Sequence, residues 1–503
     1  MAQQKEVKHR GHAFVLLLIL IFVLPVEAQS LRERHAAIRA SVESGDHEAA
    51  TAGLQSLSKT EPTAFALNNY DYLLARLAER RNDPATAAVN YQMVLARNSL
   101  LSQYALWHLA QFARSLGNLT LEREQLRRLL ATAPASLLRE AALARLAASF
   151  FESGDYSSAI RTLQRSRRSS SNAQRATPDR EALALLGEAY LKSGQKDQAR
   201  EAFNRLVTQL ANERQPDDFA LAGVRGLDTL DSGSEEAART SAPQLPESEH
   251  LRRAAIYNFN RDFAGARLHY RAIIERYAQG ANVPLALYQT GRAFYQELRF
   301  DEAIDYFQRL LAQFPASPNA RDALNSTAAA YARSNRIDEA VAAYQRFIDR
   351  YPDTPAQERG TLNIIDTLRE GGRDQEALDR AQKARERFKG SAGAALALFS
   401  QAKIHLAQGA WEAALADLDA LRNESSLGGT RTPGGTNRPE VAFVRAYTLE
   451  QMGRTDEAIS AYLDFPDGRK EYYGGRATLR LRALAANEQA RGRVAARLDA
   501  LRE

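Results

Sequence analysis

The residue types that usually perform catalysis are present in this sequence, but they do not stand at catalytic spacings. None of the eight histidines lies four residues from another, as a zinc-binding His-Glu-x-x-His helix requires. The phosphate-binding pattern Gly-x-x-x-x-Gly-Lys-Ser/Thr and the nucleophile elbow Gly-x-Ser-x-Gly are also missing. Because the chain contains no cysteine, disulfides, zinc–thiolate sites and thiol nucleophiles are excluded. We therefore expect no catalytic, cofactor-binding or metal-ligating residue in these 503 residues.

A second set of side chains has the chemistry of binding. It combines tyrosine rings, cationic groups, a carboxylate and an amide, which together stack on sugar rings or hold an extended peptide. The alternative is that these are ordinary polar residues on solvated helix faces. The candidate binding residues are Tyr288, Arg292, Tyr295, Asn325, Asp366, Arg369 and Lys403.

The positions of these side chains depend on a pattern that recurs every 37 residues. Alanines stand at 266, 303, 340 and 377, each at the end of a short block such as Phe300-Asp301-Glu302-Ala303. A fixed period of about 20 to 50 residues is typical of a solenoid or repeat array. Twelve residues before the alanines stand Ala254, Gly291, Ala328 and Ile365, and four residues after them stand Tyr270, Phe307, Tyr344 and Ala381.

Each block predicts a pair of antiparallel helices. Gly291 and Phe294 share one face of the first helix, and we expect Ala303 of the second helix to pack into the gap at Gly291, with Phe307 covering the joint. Pro315 is expected to end the second helix, because proline lacks an N–H group and clashes with the preceding turn. One hairpin leaves an apolar face uncovered, so neighbouring hairpins must stack.

This spacing of small, aromatic and proline positions resembles the tetratricopeptide repeat. The resemblance implies an all-α fold, an α-solenoid of about ten to eleven tetratricopeptide-like helical hairpins with a period of about 37 residues. In that architecture the first helices line a concave groove, and the seven candidate residues are expected to face it.

The repeats organise most of the chain, with two interruptions. A first, less regular array is predicted at 29–215, followed at 216–249 by a helix and a flexible linker rich in Ser, Gly, Pro and Glu. A second array is predicted at 250–424, and a loop containing glycine, threonine and proline is inserted at 425–439. A terminal repeat and capping helices are predicted at 440–503.

Residues 1–28 have the three parts of a secretory signal peptide. Three basic residues precede the apolar run 13–26, and Val-Glu-Ala at 26–28 offers a small-residue cleavage site. The alternative is an uncleaved anchor, but the run is shorter than the roughly 20 residues that span a bilayer. We expect cleavage, a periplasmic or secreted protein, no remaining membrane span and, without cysteine, no lipoprotein anchor.

The second half of the chain carries several motifs that contain aromatic residues, namely Tyr257-Asn258-Phe259, Arg261-Asp262-Phe263-Ala264-Gly265-Ala266, Phe314-Pro315, Tyr351-Pro352 and Phe465-Pro466 with Tyr472-Tyr473-Gly474. By these motifs it also resembles the helical region of soluble lytic murein transglycosylases. In that family the helices wrap peptidoglycan strands, and a separate lysozyme-like domain cleaves them. Glu424-Ser425 is similar to the Glu-Ser pair of that domain, but no Gly-Leu-Met-Gln follows it, so no catalytic residue can be transferred.

Three functional hypotheses follow. The first is a non-enzymatic, exported repeat scaffold of the cell envelope that binds envelope proteins or peptidoglycan strands through its groove. The second is the helical, non-catalytic part of a soluble lytic transglycosylase that acts in peptidoglycan turnover, with the catalytic domain supplied elsewhere. The third is a docking component of outer-membrane assembly or division machinery. A net charge of only +6 without a concentrated basic face argues against nucleic acid as a partner.

Overall fold

Helices make up the regular structure. The computed structural model describes residues 30–169, 176–208, 215–429, 435–465, 468 and 470–501. Within these ranges there are 27 α-helices and no strand, apart from an isolated β-bridge between Gly428 and Thr436. The predicted all-α class is confirmed. The predicted signal peptide lies outside the described residues.

The described residues divide into two compact units. The first holds those of 30–208 together with 225–230, and the second holds those of 215–224 and 231–501. The helices up to residue 208 are α1 (Leu31–Ser44), α2 (His47–Thr60), α3 (Pro62–Leu67), α4 (Tyr70–Arg80), α5 (Pro84–Ala96), α6 (Ser102–Ser115), α7 (Leu119–Thr132), α8 (Arg139–Glu152), α9 (Tyr156–Ser169), α10 (Ala176–Lys192) and α11 (Lys196–Thr208).

The remaining helices begin with α12, which contributes residues to both units. They are α12 (Asp218–Ser232), α13 (Glu235–Thr240), α14 (Glu247–Phe259), α15 (Phe263–Arg276), α16 (Val283–Gln296), α17 (Phe300–Gln313), α18 (Ala320–Arg333), α19 (Ile337–Arg350), α20 (Thr354–Glu370), α21 (Asp374–Arg387), α22 (Ala392–Ala407), α23 (Trp411–Arg422), α24 (Arg438–Gln451), α25 (Thr455–Leu463), α26 (Tyr472–Ala486) and α27 (Glu488–Ala500).

Consecutive helices pack in pairs, as the repeat pattern predicts. In the second unit the hairpins are α14/α15, α16/α17, α18/α19, α20/α21, α22/α23 and α24/α25, and in the first they are α1/α2, α4/α5, α6/α7, α8/α9 and α10/α11. Within each unit, second helices also pack on the first helix of the next hairpin, as α17 does on α18. Stacking in this way covers the apolar face that a single hairpin would leave in water.

The alanine of each block is completely buried on its second helix. Small side chains allow helix backbones to approach one another, and none of these alanines exposes any surface. One hairpin of the first unit has Glu122 at the same position, and this carboxylate is buried as completely as the alanines. The buried alanines are Ala50, Ala87, Ala159, Ala199, Ala266, Ala303, Ala340, Ala377, Ala414 and Ala458.

The gap at Gly291 is filled differently from the prediction. A Cβ atom at Gly291 would lie 2.6 Å from the ring of Phe307, so this ring, rather than Ala303, occupies the gap. Gly187 faces the ring of Phe203 at the same 2.6 Å. The predicted partner was wrong because the ring of Phe307, four residues after Ala303 on the second helix, extends as far as Gly291 on the first helix.

The stretch predicted as a flexible linker contains regular structure. Its first part belongs to α12, and Ser234 then caps the short helix α13 by accepting a hydrogen bond from the amide of Ala237 at 3.1 Å. The guanidinium of Arg276 donates to the carbonyl oxygens of Ala242 and Pro243 at 2.8 and 2.6 Å. These contacts hold a segment whose composition alone suggests a linker.

The predicted inserted loop lies between α23 and α24. Two hydrogen bonds join the described parts of this loop: the amide of Gly429 donates to the carbonyl of Thr436, and the amide of Thr436 donates to the carbonyl of Leu427. Elsewhere, among the described helices, none is both long enough and apolar enough to cross a membrane.

Candidate binding surface on the first helices of the second unit

The seven predicted binding residues lie on four first helices of the second unit. Contacts join α16 to α18 and α20 to α22, so the first helices are direct neighbours as well as partners of their second helices. We call the seven residues the first-helix surface. Tyr288, Arg292 and Tyr295 lie on α16, Asn325 on α18, Asp366 and Arg369 on α20, and Lys403 on α22.

Tyr288 is the aromatic centre of one end of the first-helix surface. Its ring centroid lies 5.9 Å from that of Phe307, and the guanidinium of Arg292 lies 5.9 Å from the Tyr288 ring. Burial raises the pKa of the Tyr288 phenol, and the nearby carboxylate of Asp322 raises it further. The phenol therefore stays neutral and keeps its hydroxyl available for hydrogen bonding. The side chain of Ser326 on α18 lies close to the phenol and offsets part of this rise in pKa.

Two of the predicted residues are less available to a ligand than expected. Asn325 is only 9% exposed, and its side-chain oxygen accepts a hydrogen bond from Asn363 at 3.4 Å. Tyr295 is half-buried and packs edge-on against Phe300, with ring centroids 5.5 Å apart. Asn325 is taken up by a contact between hairpins, and Tyr295 by a contact within its own hairpin. At these two positions the first-helix surface offers a ligand less than the sequence predicts.

The other end of the first-helix surface is centred on a carboxylate. The Oδ1 atom of Asp366 lies 3.5 Å from Nζ of Lys403 and 3.5 Å from Nε of Arg369, and it accepts a hydrogen bond from Ser400 at 3.2 Å. The ammonium group of Lys403 also lies 5.2 Å from the ring of Phe399. Arg369 also pairs with Glu370 at 3.1 Å, so two cations stand with two carboxylates here. The ammonium group of Lys403 has only the longer contact to Asp366, and it can pair with an anionic group on a ligand.

Sequence reasoning missed several residues of this surface. Arg359 and Asn363 precede Asp366 on α20 by seven and three residues, and Glu370 follows it by four. These intervals place all of them on one face of the helix. Following the helical intervals of three, four and seven residues from Asp366 in both directions would have identified these residues from the sequence. Burial raises the pKa of both the Tyr288 and the Tyr344 phenols, and Arg359 lies close enough for its charge to offset part of that rise.

The arrangement suits binding of an elongated ligand. An aromatic and cationic end on α16 and an end of paired charges on α20 and α22 are separated by the polar side chains of Asp322, Ser326 and Asn363. Such groups supply stacking, hydrogen bonds and ion pairs. No group of three or more His, Asp or Glu side chains in the described part of the chain is placed to hold a metal ion.

Family models for the tetratricopeptide repeat match both units. One model matches residues 72–136, 251–318, 288–355 and 362–427. A second tetratricopeptide repeat model matches residues 150–216. Together these matches cover more than half of the chain.

Solved structures with a similar fold include three helical-repeat proteins. A tetratricopeptide repeat protein from Parabacteroides merdae is 14% identical and matches 69% of this chain and 99% of its own, with a TM-score of 0.25. The structure of Naa15/Naa10 bound to HypK-THB is 14% identical over 92% of this chain and 67% of its own, with a TM-score of 0.33. The APC/C hetero-tetramer Cut9–Hcn1 is 15% identical over 78% of this chain and 85% of its own, with a TM-score of 0.26.

TM-scores this low carry no inference about function. No curated protein matches the sequence. The assignment therefore depends on the family models and on the stacked helical hairpins. By both criteria, the chain belongs to the tetratricopeptide repeat proteins.

Proposed function

We propose that this protein is an exported scaffold of the cell envelope that binds an extended segment of a partner protein along the first-helix surface. The observation that carries the proposal is the placement of Arg292 beside Tyr288 on α16, and of Arg369 and Lys403 around Asp366 on α20 and α22. Export is supported by the signal-peptide pattern of residues 1–28.

The spacing of the first helices favours an extended ligand. Packed helices lie about 8–10 Å apart, so four neighbouring first helices span about 30 Å. An extended chain advances about 3.3 Å per residue, and about nine residues would reach from one end to the other. A partner segment with an apolar or aromatic residue near α16 and an acidic residue near α20 and α22 would match the chemistry of both ends.

A second candidate is the helical part of a lytic transglycosylase, with a glycan strand as the ligand. It is supported by Tyr472 and Tyr473, which belong to the sequence resemblance. Their ring centroids lie 4.9 Å apart at 86°, and Tyr472 is 70% exposed. An exposed aromatic face can stack on a sugar ring. A Tyr472→Ala variant that no longer sediments with purified sacculi, when the wild type does, would favour this candidate.

The scaffold proposal is tested by comparing two double variants with matched charge changes. Arg369→Ala with Lys403→Ala removes the cations around Asp366, and Arg380→Ala with Lys383→Ala removes one arginine and one lysine from exposed positions on α21. Proteins captured from an envelope fraction by the wild type are identified, and synthetic peptides from them are titrated against both variants. We expect at least about tenfold weaker binding with the first variant only.

Two results would contradict the proposal. Equal binding by both double variants would show that the first-helix surface does not hold the partner. Recovery of the chain from the cytoplasm with residues 1–28 still attached would refute export. A mature protein that begins at Gln29 in the envelope fraction would support it.

A further inference from the structure

A second open site lies on the other side of α22. A cleft of about 710 Å³ separates the outward face of α21 from α22. This volume is within the range of about 300–1,000 Å³ that is usual for ligand sites. We call it the second-helix cleft. Its walls include Gln375, Gln382, Arg385 and Lys389 from α21 and the segment after it, and Leu398 and His405 from α22.

The second-helix cleft is distinct from the first-helix surface. Lys403 belongs to the first-helix surface, whereas Gln401 and His405 line the cleft. Successive residues of an α-helix are rotated by about 100°, so positions two apart point in nearly opposite directions. One helix therefore presents a different face to each site, and two partners can bind without competing for the same side chains.

His405 departs from the packing pattern of the other first helices. A polar side chain at a position that is otherwise apolar and buried costs stability, and such departures occur mainly at functional sites. His405 instead retains some exposure and lines the cleft. The equivalent residues in the second unit are all apolar or aromatic and buried, namely Tyr257, Phe294, Tyr331, Leu368 and Leu449.

A chain of hydrogen bonds fixes the polar side chains of the cleft. Nδ1 of His405 lies 2.8 Å from Oδ2 of the buried Asp417, and the side chain of Gln401 donates to Oδ1 of the same carboxylate at 3.0 Å. The guanidinium of Arg385 in turn donates to the side-chain oxygen of Gln401 at 3.1 Å. A connected network of this kind orients the groups that a ligand would meet.

Other groups in the cleft remain available for a ligand. The side chains of Gln382, Glu386, Lys389 and Glu424 line it and make no hydrogen bond or ion pair with any described residue. Elsewhere on the second helices, many arginines and carboxylates are paired, as Arg373 is with Glu376. The cleft therefore offers one ammonium group, two carboxylates and an amide that have no hydrogen-bond or ion-pair partner among the residues that the structure describes.

We propose that the second-helix cleft binds an extended peptide segment that carries both a cationic and an anionic side chain around an apolar one. Arg385 and Lys389 complement the anionic group, and Glu386 and Glu424 complement the cationic group. Leu378 and Leu398 provide an apolar floor, and the glutamine amides can pair with peptide N–H and C=O groups. No phenylalanine, tyrosine or tryptophan lines the cleft, so the lining favours a peptide over a sugar, which would stack on such rings.

Fluorescence anisotropy with a labelled peptide tests this proposal. The probe is fluorescein-Gly-Lys-Gln-Leu-Gln-Glu-Gly-amide, and two control peptides carry lysine or glutamate at both charged positions. We expect the mixed-charge probe to bind the wild type at least about tenfold more tightly than either control peptide. Weaker binding of the mixed probe than of a single-sign probe would overturn the proposed charge pattern.

Two variants with the same charge change locate the site. Arg385→Glu with Lys389→Glu is expected to weaken binding of the mixed probe at least about tenfold, and Arg380→Glu with Lys383→Glu, on α21 but outside the cleft, is expected to leave it unchanged. The single variant Lys389→Glu keeps the test valid if the first double variant does not fold, because the native lysine side chain has no described partner to lose. Equal weakening by both pairs, or no binding by the wild type, would overturn the proposal.

Two further measurements separate this site from the alternatives. Arg369→Ala with Lys403→Ala should bind the probe like the wild type, because these residues lie outside the cleft. Loss of probe binding in that variant would assign the peptide to the first-helix surface instead. Displacement of the probe by a chitin tetrasaccharide at equal concentration would show that the cleft prefers a sugar and would overturn the proposed ligand class.

Discussion

Arg373 joins two neighbouring hairpins by binding Asp338, which stands 35 residues earlier in the chain. Its Nη1 atom lies 2.6 Å from Oδ1 of Asp338, and its Nε and Nη2 atoms each donate to Glu376 at 2.7 Å. Arg336 repeats the arrangement one hairpin earlier, with Glu339 at 3.0 Å and Asp301 at 3.3 Å. These arginines couple the start of one second helix to the start of the preceding one. In a repeat array, such contacts between neighbours contribute to cooperativity.

We expect Arg373→Ala to destabilise the second unit more at neutral pH than at low pH. The hydrogen bonds from Arg373 lower the pKa of the Glu376 carboxyl group below its ordinary value near 4.5. A carboxyl group with a lowered pKa contributes stability above that ordinary value, and the contribution is lost as the pH falls through the folded-state pKa. Urea unfolding at pH 7 and pH 3 should show a larger difference from wild type at pH 7 than at pH 3. Lys383→Ala on the same helix serves as the control, and an equal loss at both pH values would refute the ion-pair account.

We expect that isoleucine and alanine, the pair found at the equivalent positions two hairpins later, can replace Gly291 and Phe307. Ile365 and Ala381 occupy the equivalent positions and lie in one buried cluster, so a large residue on the first helix there accompanies a small one on the second. Gly291→Ile alone should cost about 1–3 kcal/mol through overpacking, and Phe307→Ala alone about 3–5 kcal/mol through the cavity. The double variant should cost at least about 1 kcal/mol less than the sum. Strict additivity in denaturant unfolding would show that the two side chains do not share one space.

Removing the side chain of Arg145 should destabilise the protein more than removing that of Glu122. The carboxylate of Glu122 is fully buried and accepts hydrogen bonds from Nε and Nη2 of Arg145 at 2.5 and 3.2 Å. Arg145→Ala leaves that carboxylate buried without its cation and should cost about 3–5 kcal/mol. Glu122→Ala restores the usual alanine and should cost less, because Arg145 keeps its bonds to Glu152. Thermal unfolding of both single variants and the double variant measures the difference. A larger loss of stability for Glu122→Ala than for Arg145→Ala would contradict the buried ion pair described here.

Leu298→Gly should stabilise the turn between α16 and α17. Leu298 adopts a left-handed backbone conformation with φ of 61°, and its side chain is 64% exposed. That conformation costs a bulky residue about 1–2 kcal/mol relative to its preferred region, whereas glycine adopts it freely. The greater flexibility of glycine in the unfolded chain offsets part of the gain, so we expect a net stabilisation of about 0.5–1 kcal/mol. In a matched comparison, Gly372→Ala, at φ of 75° in a corresponding turn, should destabilise the protein. A lower unfolding midpoint for Leu298→Gly would argue against strain at this turn.

The amino-acid sequence by itself determined the repeat period, the all-α class and the burial of alanines such as Ala303 and Ala340. These properties follow from local spacing, since residues three, four and seven apart share a helix face and a proline such as Pro315 ends a helix. The sequence also predicted that Tyr288, Arg369 and Lys403 lie on first helices, where the structure has them.

Only the tertiary structure decided which side chains meet across those helices. It placed the ring of Phe307 against Gly291, buried Asn325 against Asn363, and set His405 and Asp417 beside an open cleft. The physical reason is that these contacts join different helices, in some cases about a full repeat apart. Their partners are set by how far each side chain reaches and by the angle at which the helices cross, and neither can be read from the spacing of residues along one helix.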